Sequence, residues 1–286
     1  MVSSMLTTEQ VEQFRRDGFC IVPGLLSDEE VTFYLGVMHA ICDGATMARH
    51  NAERMEMEPN QAPEGDRVRR IYEPCTYYPE FRALSDSPKL LDRVAQLLGE
   101  NLLFHYSKIN MKPPAIGSAV EWHQDLAYYP LTNTDSLAVL FYLDDADRGN
   151  GCLQMIPGFH RERIMDHTAG GFFRGQVTEP VDTSKAVAIE GRAGTAIFMH
   201  GMTPHASAPN TSPQPRRTLI LSYRAADAYP VHLGEVTAHA ESHVRLVRGE
   251  RLARARFGTL DMPIPRYQGI PTSLYDLQQK FREQRN

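Results

Sequence analysis

The spacing of hydrophobic and polar positions changes near residue 100, and this change separates a helical part of the chain from a β-rich part. Apolar residues at helical spacing predict three helices in the first part. The first has a threonine N-cap and ends at Gly18, and the second starts with the capping-box pattern at Ser27 and runs to about Cys42. The third covers residues 86–99, with a proline near its first turn and a glycine at its end.

From about residue 102 the chain consists of short β-rich runs separated by turn residues. The runs are LLFHYSKINMK, SLAVLFYLDD, GCLQMIP, AVAIEG, GTAIFMHG and RTLILSYRA, and FCIVPG near the N-terminus is a further short strand. Strands at this cadence favour a sandwich or a barrel, and a jelly roll accommodates about eight of them. We therefore predict a mainly β fold with flanking helices, in one domain over residues 1–286. It would comprise an N-terminal helical layer (1–100), a barrel core (101–226) and a C-terminal extension (227–286).

Two polar stretches stand out from this pattern. Residues 43–67 have no steady hydrophobic period, which predicts a mobile loop without an assigned role. Residues 245–256, RLVRGERLARAR, predict a basic helix whose charged face is solvated while the other face packs on the barrel.

The composition is that of a globular protein, and it sets limits on the partners. The 286 residues include 42% hydrophobic and 23% charged residues, which is enough for a sizeable buried core. A formal net charge of −5 gives no overall basic field for nucleic acid, and no apolar run is long enough for a membrane span. Scattered cysteines and a polar N-terminus without a signal-peptide core predict a reduced, cytoplasmic protein. No feature of the sequence indicates an oligomeric state.

A histidine and an aspartate two residues apart form the strongest chemical signal in the chain. In extended backbone, alternate side chains lie on one face, so His123 and Asp125 can point into a barrel together while Gln124 points away. Taken alone, the pair also fits a histidine near a turn and a capping aspartate. Two imidazoles and one carboxylate make the facial triad of non-haem Fe(II) oxygenases, with the third ligand on a distant strand. The candidates for that ligand are His205, His200, His105, His160 and His167.

An arginine at the start of a predicted strand suggests a second part of the site. His205 precedes the turn APNTSPQP, and Arg216 begins the strand that follows. A hairpin between the two strands would place the arginine deep in the barrel beside the metal ligands. A buried guanidinium is the group best shaped to hold a dicarboxylate through a bidentate pair.

Three motifs together resemble the phytanoyl-CoA dioxygenase family. They are HQDLAYYP from His123, GNGCLQMIPGFH at residues 149–160 and HASAPNTSPQPRR from His205, and they occur in the family's order. The resemblance implies a double-stranded β-helix, which is the jelly-roll or cupin-like barrel, and an enzyme that uses Fe(II), 2-oxoglutarate and O2. It also implies that His123, Asp125 and His205 bind the iron and that His200 is a structural or supporting residue.

The same resemblance implies roles for further residues around the iron. Arg216 would bind the distal carboxylate of 2-oxoglutarate with assistance from Ser207. Lys112, in an I-N-x-K motif, and Phe141 would also contact this cosubstrate. Candidates for the lining of the substrate pocket are Arg70, Lys108 and Tyr128.

The predicted reaction is hydroxylation of an unactivated C–H bond in a small-molecule substrate, with release of succinate and CO2. No catalytic residue is predicted beyond the metal ligands. Because Asp125 would occupy a ligand position, no vacancy remains for chloride, which disfavours halogenation. Phe159 stands where the family's P-G-S-H segment has serine, so the identity of the substrate is not carried over. Two alternatives stay open: a cupin-type metalloenzyme that does not use 2-oxoglutarate, and a non-catalytic barrel.

Overall fold

The positions of the helices and strands come from a computed structural model that describes residues 5–231, 243–258, 260–267 and 273–285. The helices are α1 (Thr8–Asp17), α2 (Asp28–Cys42), α3 (Pro74–Tyr77), α4 (Pro79–Ser85), α5 (Pro88–Leu98) and α6 (Leu274–Arg285). Strands in the first half are β1 (Phe19–Val22), β2 (Met55–Met57), β3 (Val68–Tyr72), β4 (Leu102–Lys112), β5 (Val120–His123) and β6 (Ser136–Tyr142). Those in the second half are β7 (Leu153–Met155), β8 (Thr168–Ala169), β9 (Phe172–Phe173), β10 (Val187–Ile189), β11 (Ala196–His200), β12 (His205–Ser207), β13 (Arg216–Ala225) and β14 (Arg245–Arg248).

The three predicted N-terminal helices are present, and local signals explain where they begin and end. Thr7 and Ser27 form capping boxes in front of α1 and α2. Gly18 ends α1 with a φ of 83°, a left-handed conformation that glycine adopts without steric cost. Helix α5 begins at Pro88, slightly later than predicted, because proline is suited to the first helical position. Helices α3 and α4 are absent from the sequence prediction because each is too short to show a helical period.

Two antiparallel sheets face each other across an apolar core. In the described part of the chain, the major sheet has the strand order β1–β11–β6–β13–β4–β3–β2, with β14 beside β4. The minor sheet has the order β10–β7–β12–β5, and β8 pairs with β9 separately. Side chains of both sheets, among them Leu140, Leu153 and Ile220, pack in the core between them. The fold is therefore mainly β with flanking helices, as predicted, although hydrogen bonds between the described strands do not close the sheets into a barrel.

The N-terminal helices cover the outer face of the major sheet. Their apolar side chains pack in a second core, the outer core, with Phe104, Phe141 and Leu219 from the strands. Strand β6 is therefore buried on both faces, which explains its almost unbroken apolar sequence, SLAVLFY. The predicted helical layer also supplies three strands, β1 to β3, to the major sheet. The single domain with its three divisions stays a prediction.

Two stretches fold differently from their predictions. Residues 245–256 do not form the predicted basic helix, because their first four residues are β14 and the rest has no helix. Strand β3 pairs with β4 only at residues 108–110, so the edge at residues 102–104 is free, and β14 pairs there. Within residues 43–67, predicted as a loop, β2 pairs with β3 and buries two methionines in the outer core.

The connection between β12 and β13 is not the predicted hairpin. Strand β12 pairs with β5 and β7 in the minor sheet, whereas β13 pairs with β4 and β6 in the major sheet. Asn210 holds the crossing in place, since its amide donates to the carbonyl oxygens of Lys112 at 3.0 Å and Gln214 at 2.7 Å. Arg216 therefore lies across the gap between the sheets from His205, rather than beside it on a paired strand.

None of the described helices combines the length and the apolar composition that crossing a bilayer requires. The cytoplasmic location inferred from the sequence stays a prediction.

Candidate metal centre

Three buried side chains converge at one end of the minor sheet. His123 ends β5, Asp125 begins the short 3-10 turn that follows, and His205 begins β12 directly opposite His123. Oδ1 of Asp125 lies 3.7 Å from Nε2 of His123 and 3.8 Å from Nε2 of His205. Donor atoms at this spacing can all reach one ion through bonds of about 2.0–2.2 Å. The geometry is that of a candidate metal site with two nitrogen donors and one oxygen donor.

Backbone carbonyl groups orient both imidazole rings. Nδ1 of His123 lies 2.8 Å from the carbonyl oxygen of Glu121, and Nδ1 of His205 lies 3.0 Å from that of Thr203. Because a carbonyl can only accept, each Nδ1 carries the proton and each Nε2 presents its lone pair towards Asp125. Burial lowers the pKa of both rings, and for His123 the second imidazole lowers it further. The neutral form, which binds metals, is therefore favoured.

The residue between His123 and Asp125 points away from both of them, as predicted. The side chain of Gln124 is fully buried, and its amide donates to the carbonyl oxygens of Met202 at 2.7 Å and Arg163 at 3.0 Å. Its Oε1 accepts from the N–H of Met165 at 2.7 Å. Its own N–H donates to Nε2 of His167 at 3.1 Å. Gln124 thus fixes the turn that carries the aspartate.

The structure separates the five candidates for the third ligand. Among the described residues, only His205 joins His123 and Asp125 in a group of acidic, cysteine or histidine side chains close enough to share an ion. The ring of His200 packs against that of His160 at 5.3 Å, away from this group. His167 accepts from the backbone N–H of Gln124 and does not belong to this group.

Arg216 is buried at the start of β13 and retains free donors. Its Nε and Nη2 donate to the carbonyl oxygen of Gly151 at 3.0 and 2.6 Å, and its Nη1 donates to Oγ1 of Thr218 at 3.0 Å. A guanidinium has five N–H groups, so these bonds leave one on each terminal nitrogen. Gly151 has a φ of 77°, and a Cβ there would lie 2.3 Å from the carbonyl oxygen of Ala208. Only glycine can therefore present its carbonyl to Arg216 in this way.

One cavity joins the candidate ligands to this arginine. Its wall is formed by Lys108, Asn110, Val120, His123, Asp125, Leu140, Leu153, Met199, His205, Ala206, Ser207, Arg216, Thr218, Ile220 and Leu274. Its volume is about 40 Å³, which is room for only a few water molecules. The structure thus brings together the predicted residues His123, Asp125, His205, Ser207, Arg216 and Lys108. Phe159 is not part of this wall.

Lys112 lies near the cavity, but its ammonium group does not line it. Nζ donates to the carbonyl oxygens of Ser118 at 2.8 Å and Ser207 at 3.3 Å, and also to that of Ala208. Lys112 shares a strand face with the cavity residues of β4, but it stands at the strand's end, beneath the backbone that follows β12. Burial lowers its pKa to about 6, with Arg216 adding to the effect. The ammonium group of Lys112 therefore contacts backbone carbonyl groups and does not face the cavity.

Phe141 lies on the face of β6 that points away from the cavity. It is fully buried in the outer core with the helices, whereas its neighbour Leu140 lines the cavity. Adjacent side chains of a strand point to opposite faces, so a shift of one position reverses the assignment. The side chain of Phe141 therefore lies outside the cavity in which its contact with the cosubstrate was predicted.

Two predicted substrate contacts lie behind the cavity wall. Nε of Arg70 donates to Oδ1 of Asn110 at 2.9 Å, and its guanidinium lies 4.9 Å from the ring of Tyr275. The hydroxyl of Tyr128 donates to the carbonyl oxygen of Gly175, and its ring makes a T-shaped contact with that of His123 at 5.7 Å. Asn110 itself was not predicted, although it follows Lys108 by two residues and hence shares its strand face.

Helix α6 covers one side of the cavity and is tied to β5. Leu274 lines the cavity, and Nε2 of Gln278 donates to the carbonyl oxygen of Gly175 at 2.6 Å. Oε1 of Gln278 accepts from the N–H of Glu121 at 3.1 Å, and Arg282 pairs with the Glu121 carboxylate at 2.7 Å. The same Glu121 offers its carbonyl to the β5 histidine. No sequence signal links α6 to the site, because the contacts join segments far apart in the chain.

The family model described as phytanoyl-CoA dioxygenase matches residues 14–218. The chain belongs to the phytanoyl-CoA dioxygenase family. The three motifs that resembled this family in the sequence all lie within the matched residues.

Relatives of this phytanoyl-CoA dioxygenase family member agree in fold and enzyme class. A Stutzerimonas stutzeri protein named probable alpha-ketoglutarate-dependent hypophosphite dioxygenase is 32% identical over 274 residues, covering 93% of each chain. EctD from S. alaskensis with bound Fe has a TM-score of 0.69 at 27% identity, covering 86% of this chain and 88% of that one. EctD with 2-oxoglutarate and 5-hydroxyectoine has a TM-score of 0.64 at 27% identity, covering 77% of each chain.

These comparisons confirm several sequence predictions. The fold is the cupin-like jelly roll of 2-oxoglutarate oxygenases, with the sheets left open. The protein is an Fe(II)- and 2-oxoglutarate-dependent dioxygenase, and its cofactors are iron, 2-oxoglutarate and O2.

Proposed function

We propose that the enzyme hydroxylates an unactivated C–H bond of a small-molecule substrate and releases succinate and CO2 from 2-oxoglutarate. His123, Asp125 and His205 would hold Fe(II), and Arg216 would bind the distal carboxylate of 2-oxoglutarate. Ser207, on the cavity wall near this arginine, would add a hydroxyl donor. The bound iron and cosubstrate supply the oxidising chemistry, while the protein aims it and excludes solvent.

The observation that carries this proposal is that one cavity joins three converging donors to a buried guanidinium with two unused N–H groups. Three metal donors alone fit many enzymes of the cupin type. The two unused N–H groups of Arg216 lie on the terminal nitrogens, which is the arrangement that binds a carboxylate through two parallel bonds. A cupin enzyme without 2-oxoglutarate, or a non-catalytic barrel, has no need of this buried fork.

The remaining predicted residues take supporting roles in the proposal. Lys112 would hold the backbone after β12 in place through its carbonyl contacts. Arg70 would orient the Asn110 amide, and Tyr128 would fix the loop at Gly175. The aliphatic part of the cavity wall would exclude water from the reacting carbon.

The first experiment measures 2-oxoglutarate binding to the anaerobic Fe(II) protein through its weak visible charge-transfer band. We expect Arg216→Ala to weaken binding by about 10-fold to 100-fold, because charge-assisted hydrogen bonds contribute about 1.5–3 kcal/mol. Arg217→Ala is the matched control, since Arg217 is the next residue on β13 but pairs with Asp144 at 2.5 Å.

Full 2-oxoglutarate affinity in the Arg216→Ala protein would count against the assignment. A succinate-release assay with a panel of small metabolites then tests the reaction itself. Asp125→Ala should abolish both the band and succinate release, because one of three iron donors is lost.

A further inference from the structure

One lysine on the cavity wall has no counter-charge in contact with it. The side chain of Lys108 lines the cavity that holds the candidate ligands. Within the described ranges its ammonium takes part in no salt bridge or hydrogen bond, and its one ring contact is with Tyr106, 5.3 Å from Nζ. Burial lowers the pKa of this ammonium, although Asp125 and Glu73 oppose the effect from a distance.

The other charges of the site are balanced once the proposed ligands are bound. The double charge of Fe(II) would be matched by Asp125 and by one carboxylate of 2-oxoglutarate. The second carboxylate would be matched by Arg216. The remaining wall residues are neutral, and behind the wall Arg70 and Glu73 act on Lys108 with opposite signs. Lys108 is therefore left as an unpaired positive charge on the wall, with its side chain partly buried. An unpaired charge in such a place is costly, and an anion that enters the cavity would remove that cost.

The surroundings of Lys108 divide the cavity into a polar and an apolar part. Because the guanidinium of Arg70 can only donate, the atom of Asn110 that faces it is oxygen. The NH2 group of Asn110 therefore adds donors on the cavity side of the same strand. The apolar part of the wall consists of Val120, Leu140, Leu153, Met199, Ala206, Ile220 and Leu274. Such a cavity suits a molecule with one anionic group and a small hydrocarbon part.

We propose that the substrate of this enzyme is a small anion whose negative group pairs with the ammonium of Lys108. This inference rests on the proposed 2-oxoglutarate-dependent hydroxylase function. Lys108 selects the substrate by charge, and the aliphatic wall receives the carbon that is hydroxylated. The counter-ion of Arg216 is the cosubstrate, so the two cations of the wall serve two different anions.

The test compares small acids with their uncharged derivatives. The probes are methylphosphonate, ethylphosphonate, acetate and propionate, each paired with a neutral partner, which is the dimethyl ester for a phosphonate and the amide for a carboxylate. Binding to the anaerobic Fe(II)–2-oxoglutarate protein is measured by isothermal titration calorimetry, and substrate-dependent succinate release is measured in air. At least one acid should bind more tightly than its neutral partner. For that acid, Lys108→Met should raise the dissociation constant by about 10-fold to 100-fold, and Lys108→Arg should restore most of the binding.

Each outcome separates this inference from the proposed function. If the wild-type protein shows no visible band with Fe(II) and 2-oxoglutarate, the proposed function fails. If the band forms but no acid binds better than its neutral partner, the inference fails alone. It also fails if Lys108→Met weakens 2-oxoglutarate binding as much as acid binding, because Lys108 would then belong to the cosubstrate site. Should Lys108→Met not fold, the comparison of acids with neutral partners in the wild-type protein still decides.

Discussion

The contact between helix α6 and strand β5 predicts a measurable link between the C-terminal helix and the metal site. The substitution that tests it is Gln278→Leu, which keeps the side-chain size but removes both hydrogen bonds of a fully buried amide. The N–H of Glu121 would lose its partner, which costs about 1–3 kcal/mol. The carbonyl of Gly175 keeps the hydroxyl of Tyr128, so its loss is nearer to 1 kcal/mol.

The two losses together predict that α6 separates from the sheet about 2–4 kcal/mol more easily. Hydrogen exchange of the α6 amides measures this opening directly, and it should become about 30-fold to 900-fold faster. Fe(II) affinity should also fall, because the carbonyl of Glu121 orients the imidazole of His123 at 2.8 Å.

A matched control lies on the same helix. Arg282→Gln removes the half-exposed ion pair with the carboxylate of Glu121, side chains that are 40% and 34% exposed. Exposed pairs contribute about 0.2–1 kcal/mol, so exchange should accelerate by about 5-fold or less. Equal acceleration in the two variants, or unchanged Fe(II) affinity in Gln278→Leu, would refute the reasoning.

Three further predictions test other contacts. Gly151→Ala should weaken 2-oxoglutarate binding about 10-fold or more in the visible-band titration, because the added Cβ displaces the carbonyl that holds Arg216; unchanged affinity would contradict this. Leu140→Phe should fill the cavity and reduce 2-oxoglutarate binding. Phe141→Leu should leave that binding unchanged and lower the free energy of unfolding in urea by about 1 kcal/mol. The reverse pattern would support the predicted contact of Phe141 with 2-oxoglutarate. Burial lowers the pKa of His105 to about 3, below its unfolded value, so stability is lost as the pH falls below about 6.5. In acid titrations His105→Gln should lessen that loss by roughly 1.4 kcal/mol per pH unit between pH 6 and 4, and an unchanged slope would contradict it.

Two of the three candidate metal ligands could be predicted from the sequence because a short-range rule relates their positions. Alternation along an extended strand placed His123 and Asp125 on one face, and the structure keeps them 3.7 Å apart. Spacing alone does not distinguish His205 from His200 as the third ligand, whereas the motif that flanks His205 does. The structure explains that choice, since His205 alone pairs directly opposite His123.

The pairing of strands that are distant in the chain could not be predicted from the sequence. Whether β13 pairs with β12 or crosses to the other sheet depends on partners distant in the chain, so the hairpin prediction was wrong. Strand β6 is buried on both faces, so its sequence shows no alternation of apolar and polar residues. The sequence therefore does not indicate whether Phe141 or Leu140 faces the cavity. The stretch from residue 245 has a basic composition typical of a helix, but a free edge of β4 recruits its first residues as a strand.

The two halves of the site belong to different sheets, so the distance between the sheets determines the width of the site. The candidate metal donors are carried by the minor sheet, while Arg216 and Lys108 are carried by the major sheet. Packing between the layers, with side chains such as Leu153 and Ile220, holds one wall at its distance from the other. Hydrogen bonds that join Lys112 and Tyr142 of the major sheet to the minor sheet add to it. A methylene gained or lost among these apolar side chains would change the distance from the metal donors to Arg216 and Lys108. Every polar residue of the site would stay the same. Divergence in what such enzymes accept can therefore begin with aliphatic exchanges that a search for altered charged residues would pass over.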